Sequence, residues 1–138
     1  MKVLAFGSTT IRRAEALKGA EPDACFYVQS AGMIGNKIHI DFATDPPPDI
    51  VVEVDISHES TSKLTIYADL AVPEVWRFDG RVLTIYRLEQ SEYVISTESA
   101  ALPALTSETL TEFLNRAEKE GQYETVLAFE EWLRSQTA

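Results

Sequence analysis

Three consecutive prolines, Pro46-Pro47-Pro48, constrain this chain more than any other feature. They bring no backbone donors and favour extended geometry, so whatever precedes them ends there and a new element starts behind them. That element is Asp49-Ile50-Val51-Val52-Glu53-Val54-Asp55-Ile56, a β-branched run that suits a central strand covered on both faces. Alternation puts Asp49, Val51, Glu53 and Asp55 on one face and Ile50, Val52, Val54 and Ile56 on the other. Three carboxylates on one face of such a strand are costly, because burial and mutual repulsion both oppose their charged forms. An edge strand with one wet face relieves that cost, as does pairing with Arg or Lys, as does a divalent cation bound by the oxygens.

The rest of the chain supplies the frame. Upstream, Ala24–Gln29 and Lys37–Phe42 read as strands joined by a turn around Gly32 and Gly35, and the opening Val3–Arg13 leans towards strand. Downstream the period changes. Leu64, Tyr67, Ala68 and Ala71 fall at helical spacing behind candidate caps Ser57, Ser60 and Thr61, which predicts a helix from about Glu59 to Leu70, ended by Pro73. Glu74–Phe78 then reads as a strand, Asp79-Gly80 as a tight hairpin turn and Arg81–Leu88 as the returning strand, with a polar turn at Glu89–Glu92 leading into Tyr93–Thr97. Beyond Pro103 the pattern is helical. Leu110, Phe113, Leu114 and Ala117 make one apolar stripe, Val126, Leu127, Phe129, Trp132 and Leu133 a second, and Gly121 separates them. The order β-β-β-α-β-β-β-α-α predicts an α/β (α+β) fold, a mixed sheet flanked by helices with two helices at the C-terminus.

Its 138 residues suit one ordinary domain: a sheet core over 1–104 and a helical pair over 105–138. The single cysteine, Cys25, makes no internal disulfide. No run approaches the roughly 20 apolar residues of a membrane span, and the first residues are too short for a signal peptide, so a cytoplasmic protein is expected. Twelve basic against twenty-two acidic residues give a net charge of −10, which repels polyanions at long range and argues against a generic basic-patch nucleic-acid binder. It leaves room for an enzyme whose acids hold a metal, since the ion reverses the local field. Histidine or triad chemistry is poorly supplied: the histidines are His39 and His58, and Cys25 reads as a buried strand residue.

Lys63 gives the acidic strand its chemical interest. It stands ten residues after Glu53, early in the predicted helix. A strand, a short loop and a helix fold the helix back across the sheet, which directs such a side chain at the carboxylate face. A lysine beside carboxylates and a metal positions an attacking water and stabilises negative charge at phosphorus. Tyr67, one turn later, reads as core. A second acidic group, Glu21-Pro22-Asp23, opens the strand at Ala24 and meets the Asp49–Asp55 strand if the two are neighbours. Acids from two adjacent strands are what a one- or two-metal phosphodiester site requires. Asp41 and Asp45 read as turn or edge residues.

Three blocks then stand in order: Pro47-Pro48-Asp49-Ile50-Val51-Val52-Glu53-Val54-Asp55-Ile56-Ser57, Lys63-Leu64-Thr65-Ile66-Tyr67-Ala68, and Val72-Pro73-Glu74-Val75-Trp76-Arg77-Phe78-Asp79. With Glu21-Pro22-Asp23, Phe26-Tyr27 and the C-terminal Ala128-Phe129-x-x-Trp132-Leu133-Arg134, they resemble the Uma-two (Uma2) family of restriction-endonuclease-like proteins, in the PD-(D/E)XK nuclease superfamily. The resemblance runs from about Gly7 to the C-terminus. It implies a restriction-endonuclease-like core and metal-dependent hydrolysis of DNA phosphodiesters, with Mg²⁺ or Mn²⁺ as cofactor. Carried over position by position, it implies Asp23 as the acid of the first catalytic strand and Glu53 as the acid of the D/E-x-K element. Asp55 occupies the usual lysine position, and Lys63 fits the place to which this family moves the lysine. Asp49 is implied as a further metal ligand or a strand-start cap. Longer members begin with a helix, an Asp-Gly turn and a further helix before the first catalytic strand, a segment expected to be missing here. Two expectations follow: a homodimer in which a partner copy covers the open face, or a catalytically degenerate domain kept for oligomerisation or protein interaction.

Overall fold

The run behind the prolines is an interior strand. A computed structural model describes residues 4–7, 24–35, 45–54 and 63–117, together with the single positions 127, 131 and 135. Its strands are β1 (Leu4–Gly7), β2 (Ala24–Tyr27), β3 (Ile50–Val54), β4 (Glu74–Phe78), β5 (Leu83–Glu89) and β6 (Glu92–Ser96), and its helices are α1 (Ala31–Ile34), α2 (Lys63–Asp69) and α3 (Ser107–Ala117). The six strands form one sheet in chain order. β3 and β4 run parallel, joined across α2 as a βαβ unit, and the remaining neighbours are antiparallel. This is the mixed α+β sheet with flanking helices expected of a restriction-endonuclease-like core. Lying between β2 and β4, β3 has no wet edge, so an edge position does not explain its acids.

The period-2 alternation of the strands builds two apolar layers. On one face Phe26, Ile50, Trp76, Phe78, Leu83 and Ile85 pack against Leu102, Leu105 and Leu110, with Phe113 and Leu114 of α3 completing the contact. On the other, Cys25, Tyr27, Val51 and Val75 pack against Tyr67 of α2 and against Ala31 and Ile34 of α1. α3 starts where Thr106 Oγ1 accepts the Thr109 amide at 3.1 Å, an N-cap bond. Thr111 ties it to the sheet, its hydroxyl accepting the Leu83 amide at 2.9 Å.

α2 ends in a Schellman arrangement. The amides of Val72 and Ala71 donate to the carbonyls of Tyr67 and Ala68, both at 3.0 Å, and Ala71 takes the left-handed conformation at φ 60°. The chain therefore leaves the helix before Pro73, which only bars its return.

Several boundaries differ from the sequence expectations, each for a local reason. β2 stops at Tyr27 rather than Gln29, because the amides of Val28 and Ser30 turn to the Asp49 carboxylate. The segment around Gly32 is the short helix α1, not an open turn, with Gly35 leaving it at φ 64°. β5 begins at Leu83 rather than Arg81, since Asp79 Oδ1 takes the amides of Arg81 and Val82 at 2.9 Å each. Leu127, counted in an apolar stripe, is 47% exposed. The expected strand at Lys37–Phe42, the start of the helix near Glu59 and nearly all of the second C-terminal helix lie outside the described residues.

Candidate functional site

Glu53 is the penultimate residue of β3 and points to the α2 layer, as alternation requires. It is buried, with 3% exposure, and a charge in such a place needs partners. α2 brings them. The Tyr67 hydroxyl donates to Glu53 Oε1, and Lys63 Nζ lies 3.6 Å from Glu53 Oε2. Lys63 and Tyr67 are four residues apart on one helix, so they share a face and reach the carboxylate together. The contact to Lys63 is longer than a hydrogen bond and is an ion pair. Lys63 keeps 31% of its side chain exposed, so the ammonium stands between the buried carboxylate and solvent.

β4 adds a second cation to this end of the sheet. Arg77 is the Cα partner of Glu53 in the parallel ladder, which sets both side chains on the same face. It is half-buried. Sequence reasoning passed over it because a single Arg in an apolar strand reads as a solvated position. Only the register shows what it faces.

Asp49 falls elsewhere. Four residues separate it from Glu53, which along a strand is about 13 Å, too far for one ion to bridge. Its Oδ2 accepts the amides of Val28 at 2.6 Å and Ser30 at 2.9 Å, and its Oδ1 accepts the Ser30 hydroxyl at 3.3 Å. Asp49 thus fastens the exit of β2 to the start of β3. Asp23 and Asp55 lie outside the described residues.

Another buried acid was missed by sequence reasoning. Glu74, 1% exposed, points to the α3 face, opposite to Glu53. Its Oε2 accepts Trp76 Nε1 at 2.5 Å and the Ser99 hydroxyl at 2.6 Å, while Oε1 accepts the amides of Ala100 at 2.9 Å and Ala101 at 3.2 Å. With four donors it is a structural tie between β4 and the 99–101 loop. Cys25 is no nucleophile, since burial pushes its thiol up to about 12.

A hard carboxylate oxygen is the donor that Mg²⁺ and Mn²⁺ prefer, and Glu53 supplies it. Among the described residues no group of three or more His, Cys, Asp or Glu side chains gathers to hold a metal ion. No described helix is long and apolar enough to cross a membrane. Compared with known families, the chain matches the profile of Uma2, described as "putative restriction endonuclease", over residues 2–116. No curated protein matches it.

Proposed function

Since the chain belongs to the Uma2 family, we propose that it is a divalent-metal-dependent endonuclease hydrolysing DNA phosphodiester bonds at the Glu53–Lys63 end of β3. The observation that carries the proposal is the meeting of a buried strand carboxylate with a part-exposed lysine from the following helix.

In this reading Glu53 and Asp23 hold the cation. When bound, the ion activates a water and offsets charge on the phosphate. The Lys63 ammonium orients the attacking water and donates to the phosphate oxygens as negative charge builds on them. Arg77, on the same face, adds positive charge where a chain of net charge −10 otherwise repels a nucleic acid. Asp49 keeps a structural role in holding β2 to β3.

A supercoiled plasmid incubated with the protein and Mg²⁺ or Mn²⁺ tests this. The expected result is nicking that EDTA stops and that Lys63→Ala lowers by about a hundredfold or more, in line with loss of a charge-stabilising donor, with the circular dichroism spectrum unchanged. Cleavage at the normal rate by Lys63→Ala removes the lysine from the mechanism. No cleavage of any DNA or RNA by the wild-type protein leaves a non-catalytic interaction domain.

A further inference from the structure

We infer that Tyr67 is a positioning residue that sets the orientation of the Glu53 carboxylate for metal binding; this rests on the nuclease reading above. A glutamate has three rotatable side-chain bonds, so a ligand oxygen on Glu53 is well placed only if something else holds the group. Tyr67 is fully buried among Cys25, Val51 and Val75. Its ring has two torsions, both fixed by that packing, so its hydroxyl is a rigid donor. It bonds one carboxylate oxygen, Oε1, while the other, Oε2, faces Lys63. Both restraints come from one turn of one helix, which makes the plane of the carboxylate a property of how α2 docks on the sheet. Partners of this kind, bonded to a ligand rather than to the metal, orient the ligand before the ion arrives.

The need of a buried phenol for a partner does not by itself explain the choice. Two other tyrosines meet that need with backbone carbonyls: Tyr27 donates to Pro46 O at 2.8 Å, and Tyr93 to Val72 O at 2.7 Å. Tyr67 donates instead to the carboxylate that Lys63 meets.

Tyr67→Phe removes one oxygen and keeps the ring. Mn²⁺ is titrated calorimetrically into the full chain, with Glu53→Ala and Tyr93→Phe alongside, and thermal unfolding is followed for each. The expected result is that Tyr67→Phe weakens Mn²⁺ binding by about tenfold or more, Glu53→Ala abolishes it and Tyr93→Phe leaves it unchanged. Tyr93→Phe is the control for a stability loss alone, since it deletes a hydroxyl bond made to the Val72 carbonyl and not to Glu53. Wild-type affinity in Tyr67→Phe, with binding lost in Glu53→Ala, overturns the positioning role and leaves the nuclease reading standing. Absence of Mn²⁺ binding by the wild-type protein overturns both.

Discussion

The three buried acids among the described residues are held by different kinds of partner. Asp49 is bonded to amides and a hydroxyl, Glu74 to an indole, a hydroxyl and two amides, and Glu53 to a phenol with a lysine opposite. Asp49→Ala strands the buried Val28 amide and the part-buried Ser30 amide, which costs about 2 kcal/mol of stability. It is expected to leave Mn²⁺ binding at Glu53 intact, measured by urea denaturation and calorimetry; loss of the metal with unchanged stability contradicts the structural role. Glu53 was legible in the sequence because an acid in a Val/Ile strand stands out, and Lys63 because a strand followed by a helix folds back on itself. The partners of Asp49 were not, since they lie 19 and 21 residues upstream in a loop that local pattern does not place. Glu74 was hidden by its setting, a residue after a proline at a strand start, where an acid reads as solvated.

At the scale of elements, α2 carries both side chains that meet Glu53, Lys63 and Tyr67. Its C-terminal cap puts Ala71 at φ 60°, where a Cβ is strained. Ala71→Gly is therefore expected to raise stability by about 1 kcal/mol, seen as a higher denaturation midpoint with cleavage unchanged; a lower midpoint would show that the cap is not under strain. The strands were legible from alternation and turn residues. Their ends were not, because side chains capture the terminal amides: Asp49 shortens β2 and Asp79 delays β5. α1 was read as a turn for a related reason. It is four residues long, it includes Gly32, and no side chain caps its start, so it leaves no periodic trace.

Across the whole molecule, the buried titratable groups set the response to alkali. Burial raises the Cys25 thiol from 9.0 to about 12, and it also raises the Tyr27 and Tyr93 hydroxyls above their usual 10. The unfolded chain loses these protons first, so between pH 9 and 12 it holds fewer protons than the native state and stability falls as pH rises. The urea midpoint is expected to be insensitive to these groups below pH 9 and to drop above it. In Cys25→Ala the drop begins nearer pH 10, where the tyrosines take over. A midpoint rising through this range contradicts the burial of all three.

The same scale holds the central claim, that an acidic chain works on a polyanion at one end of its central strand pair. The most direct measurement is the initial rate of plasmid cleavage in Mg²⁺ by the wild-type protein, Glu53→Gln and Asp49→Asn. The account predicts that Glu53→Gln is inactive while folded, and that Asp49→Asn is less stable but cleaves at a rate close to wild type below its unfolding transition. Equal activity in Glu53→Gln and wild type, or activity lost only in Asp49→Asn, would place the chemistry somewhere other than the Glu53–Lys63 pair.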